Sequence, residues 1–155
     1  MQKTLAMRVL EGQKIPYEAV AYPNTERDAV KVAAHLGVPA GQVFKTLVVV
    51  RERGKPLLVL IPADRQLDMK ALAAAVGEKK LKMATHQEAE QLTRLQVGGI
   101  SPLALLNKGF AIYLDQSATA LAQIYVSAGQ KGINLRVPVA GLIRVTGAQV
   151  IAVAS

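Results

Sequence analysis

The chain has 155 residues, of which 51% are hydrophobic and 19% charged, and this is enough apolar material for one folded domain over residues 1–155. There are 19 Lys and Arg against 11 Asp and Glu, a formal charge of +8, which favours a polyanionic partner such as nucleic acid. The absence of Cys excludes disulfides, a thiol nucleophile and Cys-ligated metal, and two His argue against a His-rich metal site.

The charge alone is equally compatible with a basic protein that binds no polyanion, because the basic residues are spread along the chain. No apolar stretch approaches 18 residues, so no membrane span is expected. Lys3, Arg8 and Lys14 interrupt the N-terminal segment, which argues against a signal peptide. We therefore expect a cytoplasmic protein.

The first half of the chain predicts helices with clear boundaries and one β-hairpin. Asp28 is a suitable N-cap, and Gly37 and Gly77 are suitable helix ends. In order, the predicted elements are a helix from Thr4 to Leu10, a strand from Tyr17 to Tyr22, a helix from Asp28 to Gly37, strands over Val43–Val50 and Leu57–Ile61 joined by the polar turn Arg51–Pro56, and a helix from Asp68 to Val76.

The second half of the chain alternates short strands with loops and short helices. It opens on a capping box, Thr85 to Glu88, that begins a helix to about Leu92. The later elements are the loop Val97–Pro102, strands over Phe110–Leu114, Gln123–Val126, Ile133–Val137 and Gln149–Val153, a helical turn at Ala118–Ala122, and a helix over Ala140–Arg144 behind Pro138. This order predicts an α+β fold, with a mixed, largely antiparallel sheet that closes toward a barrel and helices around it.

Lys45 is a charged residue within the apolar strand predicted over Val43–Val50. With the two-residue period of a strand, its side chain shares a face with Val43, Leu47 and Val49. A lysine on an edge strand, where it discourages sheet aggregation, would explain this residue. The functional alternative is a lysine that points into a pocket and binds an anionic or carbonyl oxygen.

Two glycine-containing loops are candidates for placing backbone N–H groups near a ligand. The first is Gly98-Gly99-Ile100-Ser101-Pro102, whose glycines permit close approach of the backbone or a positive φ. Such a loop suits an oxyanion or a phosphate, although a plain turn has the same composition. The second, Ser127-Ala128-Gly129 followed by Lys131-Gly132, allows the same two interpretations.

The sequence gives little support to a side-chain nucleophile. Ser127 has no His near it in sequence, and the chain has neither a Gly-x-Ser-x-Gly elbow nor a phosphate-binding Walker sequence.

Four segments, in this order and at these separations, carry a resemblance to a known family: Val43-Phe-Lys-Thr-Leu47, Val97-Gly-Gly-Ile-Ser-Pro102, Asp115-Gln-Ser-Ala118 and Val126-Ser-Ala-Gly-Gln-Lys-Gly132. Together they resemble the YbaK/EbsC family of trans-editing aminoacyl-tRNA deacylases, relatives of the editing insertion domain of bacterial prolyl-tRNA synthetases. The resemblance covers almost the whole chain. The Gly-Gly-Ile-Ser-Pro form is similar to the YbaK branch, whose members remove Cys from tRNA(Pro).

The resemblance implies a mixed-sheet barrel with surrounding helices and a set of site residues. The family's invariant lysine falls on Lys45, followed by Thr46. Its glycine-rich loop falls on Gly98–Pro102, and its aromatic residue on Tyr22. Its Ser-x-Gly segment falls on Ser127–Gly129. Many members have Asp where this chain has Asn134, which accepts a hydrogen bond but supplies no charge.

The implied reaction is cleavage of the ester between an amino acid and the 3′ ribose of tRNA, without metal or cofactor. Lys45 is then expected to hold the terminal phosphate or the carbonyl end of the substrate. Backbone N–H groups of Gly99, Ile100 and Ser101 are expected to receive the oxyanion. Tyr22 and Ile100 would line a small pocket for the amino acid.

Cys-tRNA(Pro) is the expected substrate, bound by its acceptor end, and prolyl-tRNA synthetase is a possible partner. Two alternatives stay open from the sequence. One is a deacylase for another small amino acid on tRNA, Ala or Ser. The other is a module that binds tRNA or a nucleotide without catalysis.

Overall fold

The computed structural model describes residues 2–155, and this range contains five α-helices and eight β-strands. The helices are α1 (Leu5–Gly12), α2 (Ala29–Leu36), α3 (Met69–Val76), α4 (His86–Thr93) and α5 (Val139–Thr146). The strands are β1 (Glu18–Ala21), β2 (Phe44–Arg51), β3 (Leu57–Pro62), β4 (Leu81–Met83), β5 (Ala111–Asp115), β6 (Gln123–Ser127), β7 (Ile133–Pro138) and β8 (Gln149–Ile151). This composition confirms the α+β prediction.

The helices begin and end at the signals that the sequence offers. Asp28 and Asp68 are the N-caps of α2 and α3, and each carboxylate accepts a backbone N–H of the first turn. Thr85 and Glu88 form both hydrogen bonds of the predicted capping box at the start of α4. Helix α2 ends at Gly37, whose φ of 71° lies in the left-handed region.

The strands form two sheets. One has three strands in the order β1-β7-β6, and the other has five in the order β4-β2-β3-β5-β8. The pairings β1–β7, β6–β7, β2–β3 and β2–β4 are antiparallel, whereas β3–β5 and β5–β8 are parallel. The prediction of a mixed, largely antiparallel arrangement is confirmed.

The prediction that the sheet closes toward a barrel is wrong, because neither sheet closes on itself over residues 2–155. A single parallel bridge between Val43 and Tyr125 connects the two sheets. Closure would require a continuous ladder of hydrogen bonds around the ring of strands. The outer strands β4 and β8 are only three residues long, so each presents little edge for further pairing.

Strand β3 is buried along its whole length because the five-stranded sheet is covered on both faces. Leu58 and Leu60 contribute to the larger core, between this sheet, α1 and the three-stranded sheet. Leu57 and Val59 belong to a second core together with Leu72 of α3. Two-sided burial explains why the sequence shows a continuous apolar run here instead of alternation.

The C-terminal segment is held by the buried carboxylate of Asp115, which accepts the backbone N–H groups of Val153 and Ala154, each at 2.9 Å. It also accepts the hydroxyl of Ser117 at 2.6 Å. Burial by itself raises the pKa of Asp115, but these hydrogen bonds outweigh burial and the pKa is lowered. The predicted last strand therefore ends at Ile151, because the residues that follow bond to this side chain.

One strand was not predicted, and several element boundaries differ from the sequence prediction by a few residues. Strand β4 was not predicted, because Leu81–Met83 is short and contains a lysine. Helix α1 extends to Gly12 and does not stop at Leu10. Within residues 2–155, none of the helices is long and apolar enough to span a bilayer.

Candidate active site

A cavity of about 380 Å³ lies beside the first half of β2. Its walls come from β2, the segment that enters α2, the start of α4, the loop around Gly98 and the end of β6. Of the residues predicted for the site, six line this cavity: Tyr22, Lys45, Thr46, Gly98, Ile100 and Ser127. The other six lie outside its lining: Gly99, Ser101, Pro102, Ala128, Gly129 and Asn134.

Lys45 lies on the part of β2 that has no β4 partner, since β4 pairs with Val49 to Arg51 alone. Its side chain is half-buried, and Nζ donates to the carbonyl oxygen of Ala63 at 3.2 Å. No carboxylate of residues 2–155 forms an ion pair with it. A cation held by one neutral acceptor at a cavity wall keeps two further N–H donors for an anionic ligand.

Thr46 presents polar groups to the same cavity. Its Oγ1 is buried and has no hydrogen-bond partner within the described chain. Val43 O accepts from Ala63 on the β3 side of the strand, whereas Val48 O accepts from Ala84 on the opposite side. Because N–H and C=O of one residue point to the same side of an antiparallel strand, the backbone of Thr46 points with that of Val48, away from β3 and toward the open edge.

Tyr22 closes one side of the cavity, and its ring is almost fully buried. Its hydroxyl donates to Gly98 O at 3.4 Å, and its backbone N–H donates to Gly132 O. Burial raises the pKa of Tyr22, while contacts with Gly132 and Asn134 lower it in part. Asn134 itself is buried on β7, between β1 and β6, and does not line the cavity.

The loop that contains Gly98 and Gly99 is held by a hydrogen bond within the loop and by packing against the segment after β6. Gly98 has a φ of +93°, and the N–H of Gly99 donates to Gln96 O at 2.7 Å. A Cβ on Gly99 would lie 2.9 Å from backbone atoms of Gln130, so the loop packs directly on the segment after β6. The Gly99 N–H therefore already has an acceptor, which weakens its predicted role as an oxyanion donor.

Ser101 and Pro102 are the buried residues that follow this loop and begin a short 3₁₀ turn. Ser101 is fully buried, and its Oγ accepts the N–H of Leu103 at 3.2 Å, where a short 3₁₀ turn begins. Pro102 occupies the first turn of that 3₁₀ segment and is buried. The backbone N–H groups of Ile100 and Ser101 donate to no acceptor within residues 2–155.

The segment after β6 is a tight turn. Ser127 Oγ accepts the N–H of Gly129 at 3.2 Å, and Gly129 has a φ of +94°. The N–H of Ala128 donates to Ile133 O, which starts the return into β7. Ser127 lines the cavity, whereas Ala128 and Gly129 shape the turn that carries it.

Four polar residues of the cavity wall were missed by the sequence analysis: Glu26, Arg27, Asp28 and His86. They lie at the N-terminal ends of α2 and α4. Among them, only Asp28 carries a recognisable sequence signal, as the N-cap of α2. Nothing in the sequence indicates that two separate helix starts face one strand. Within residues 2–155, no cluster of three or more His, Asp or Glu side chains has the arrangement of a metal site.

Residues 24–145 match the model of the aminoacyl-tRNA editing domain. The chain belongs to this family. The predicted resemblance is therefore confirmed, and the editing-domain match includes the cavity wall from Glu26 to Ser127.

The chain is similar to two curated proteins in sequence and to two solved structures in fold. EbsC of Enterococcus faecalis, whose name assigns it Cys-tRNA(Pro)/Cys-tRNA(Cys) deacylation, is 37% identical over 150 residues, which cover 96% of this chain and 91% of EbsC. A proline–tRNA ligase of Acidithiobacillus ferrooxidans is 31% identical over 136 residues, 86% of this chain and 23% of the ligase. A structure described as a trans-editing enzyme for prolyl tRNA synthetase superposes with a TM-score of 0.84 at 29% identity, covering 100% of this chain and 99% of that one. The hypothetical protein APE2540 shares the fold, with a TM-score of 0.89 at 24% identity over 98% of this chain and 100% of its own.

Proposed function

We propose that this protein is a trans-editing deacylase that hydrolyses the ester of mischarged aminoacyl-tRNA, with Cys-tRNA(Pro) as its substrate. The observation that carries the proposal is the cavity beside β2, where Lys45 and the loop at Gly98 face one space in an editing-domain fold. EbsC, similar over almost its whole length, is named for the same substrate. The acceptor end of tRNA enters this cavity, and prolyl-tRNA synthetase is the partner in the cytoplasm that releases the tRNA.

Lys45 holds the phosphate or the carbonyl end of the substrate. Its Nζ is anchored on Ala63 O, which fixes the cation at the cavity wall without neutralising it. A cation fixed in a partly dry site stabilises developing negative charge without reorganising during the reaction. Ile100 lines the cavity, retains a free backbone N–H and is the oxyanion donor of this proposal. Gly99 and Ser101 contribute the packing and the turn that place it.

The amino acid binds between Tyr22, Thr46 and Ile100. The Thr46 hydroxyl is buried and has no protein partner, so a rotation of this side chain toward the cavity would let it hydrogen-bond a small polar side chain or the amino group of the substrate. Water attacks the ester carbonyl, oriented by a neighbouring ribose hydroxyl, or the cysteine thiol of the substrate attacks it and forms a cyclic thioester that water then opens. In both cases the 3′ oxygen of the ribose leaves and takes up a proton. Ser127 is not assigned as the nucleophile, because its Oγ accepts the N–H of Gly129 and donates its own proton to no base within residues 2–155.

A panel of aminoacyl-tRNAs tests the proposal. The protein is incubated with tRNA(Pro) carrying labelled Cys, Ala, Ser or Pro, and release of the amino acid is followed over time. Fastest release of Cys is expected, with modest selectivity over Ala and Ser, because a small difference in side chain supplies only about 1–3 kcal/mol. Faster release of Ala or Ser would reassign the substrate. Protection of every ester would show a binding module instead of an enzyme.

A further inference from the structure

We propose that Arg27 and Lys131 form a two-cation clamp, with Gly98 between them, that binds the phosphodiester next to the aminoacylated end of the substrate. The inference rests on the proposed function for the identity of the substrate. It concerns a part of the cavity rim that Lys45 does not occupy. Arg27 precedes α2, Lys131 follows β6, and Gly98 belongs to a third segment.

Both cations bring their aliphatic stems close to the α-carbon of Gly98. A Cβ built on Gly98 would lie 3.5 Å from Cγ of Lys131 and 3.9 Å from Cγ of Arg27. Both aliphatic stems therefore flank one glycine, and a side chain at this position would stand between them. The φ of +93° at Gly98 also disfavours any other residue.

Neither cation is neutralised by the protein. Within residues 2–155, no carboxylate lies within ion-pair distance of Arg27 or Lys131. The two acidic residues nearest in sequence have other partners. Glu26 accepts the N–H groups of Arg27 and Asp28 and lies 3.7 Å from His35, and Asp28 caps α2.

The position of the pair matches where a phosphate must lie. Arg27 and Gly98 line the cavity and Arg27 is exposed, whereas Lys131 is half-buried and lies beside Gly98, just outside the lining. An aminoacyl ester and its ribose inside the cavity leave the next phosphodiester at this rim. Arginine and lysine together supply a planar fork and a point charge, the two donors that proteins use for phosphate.

The test compares substrates with and without that phosphodiester. The double variant Arg27→Gln, Lys131→Met is assayed on cysteinyl-tRNA(Pro) and on 3′-O-cysteinyl-adenosine, which has no phosphodiester. Its matched control is Arg53→Gln, Lys79→Met, which removes the same charge from exposed residues outside the cavity lining. The KM for the tRNA substrate is expected to rise about tenfold in the clamp variant. The slope of log KM against log salt should fall by about 1, while the control changes neither.

The loss on the adenosine ester is expected to be far smaller than the loss on tRNA. An equal loss on both substrates, or equal KM values in the clamp and control variants, would overturn the clamp. If the wild type cleaves no aminoacyl-tRNA, the proposed function fails and the clamp is still tested by binding. Fluorescence anisotropy with an uncharged acceptor-stem hairpin ending in CCA should then show weaker binding for the clamp variant than for the control, and equal affinities would refute it.

Discussion

The two halves of β2 pair with β3 in the same way but differ in their other neighbour. From Val49 to Arg51 the strand is paired with β3 on one edge and β4 on the other. From Phe44 to Leu47 it keeps β3 but has no β4 partner, and the cavity lies along that open edge. The site therefore exists because the neighbouring strand β4 is short. Where β4 ends, backbone polar groups of β2 have no strand partner and can bind a ligand.

The largest effect on deacylation is expected from Lys45→Met, in the open half. Loss of the fixed cation should lower kcat/KM on Cys-tRNA(Pro) by roughly 10²–10³. The matched change in the paired half is Arg51→Gln, which removes an ion pair with Glu78 at 3.6 Å and should leave deacylation unchanged. Initial rates and thermal melting of both variants decide this. Wild-type turnover by a folded Lys45→Met variant would show that Lys45 does not stabilise the substrate during the reaction.

The second largest loss of deacylation is expected from Gly99→Ala, in the loop that faces the open half of β2. In Gly99→Ala the new Cβ would meet the backbone of Gln130 at 2.9 Å, which forces the two loops apart. The free energy of unfolding should fall by about 1–3 kcal/mol, as for other overpacked positions. Deacylation should fall by about tenfold to 10²-fold, because small displacements of catalytic groups are costly. Denaturant titration and initial rates measure the two changes.

Gly41→Ala is the control for that substitution. Gly41 has nothing within 4 Å of the position of an added Cβ and has no positive φ. Alanine there should leave deacylation unchanged and raise stability by about 0.4–1 kcal/mol through the unfolded state. Equal behaviour of the two alanine variants would contradict the close packing inferred for Gly99.

A pair of isosteric swaps compares the two halves directly. Thr46→Val removes a hydroxyl that has no protein partner, so stability should stay equal or rise, while deacylation falls by about tenfold if the hydroxyl contacts the substrate. Val49→Thr introduces a hydroxyl at a fully buried position of the paired half and should destabilise the protein by about 1–3 kcal/mol. Melting temperatures with initial rates separate the two. A large loss of stability in Thr46→Val would show that the hydroxyl is structural.

The smallest effect on deacylation is expected at Asp115, at the far side of the same sheet. Its folded pKa is lowered, so its contribution to stability is fully present above the unfolded value of about 3.9 and is lost as the pH falls through the folded pKa. Asp115→Asn should remove this acid dependence and destabilise the C-terminal segment, with unchanged activity per folded molecule at neutral pH. The free energy of unfolding of the wild type and of Asp115→Asn, measured by denaturant titration at pH 3 and at pH 7, tests this prediction. An unaltered pH dependence in the variant would show that other carboxylates control acid stability.

The sequence predicted the local elements because their causes are local. Caps such as Thr85 and Asp68 and the left-handed glycine at Gly77 fix helix ends within a few residues. It failed at β4, since three residues with a lysine carry no strand pattern and pair only because β2 offers an edge. It also failed on barrel closure, which depends on how many residues each outer strand contributes.

Much of the candidate site could be named from sequence, but its arrangement could not. The motifs around Lys45 and Gly98 gave four residues that line the cavity, and Tyr22 and Ser127 bring the number to six. Gly99 and Ser101 lie in the same motif yet make supporting contacts, because adjacent residues of a turn point in different directions. Arg27 and His86 joined the wall only through the packing of two helix starts.

The sequence by itself determined the class of the fold, most of the helix ends and the family, because composition, capping residues and ordered motifs act through neighbours along the chain. Only the tertiary structure decided that half of β2 is open, that Thr46 presents an unpartnered hydroxyl there, and that Arg27 and Lys131 both lie close to Gly98. Those features depend on segments far apart in sequence, and the physical reason is that packing of whole elements, not local preference, sets which groups are left facing a cavity.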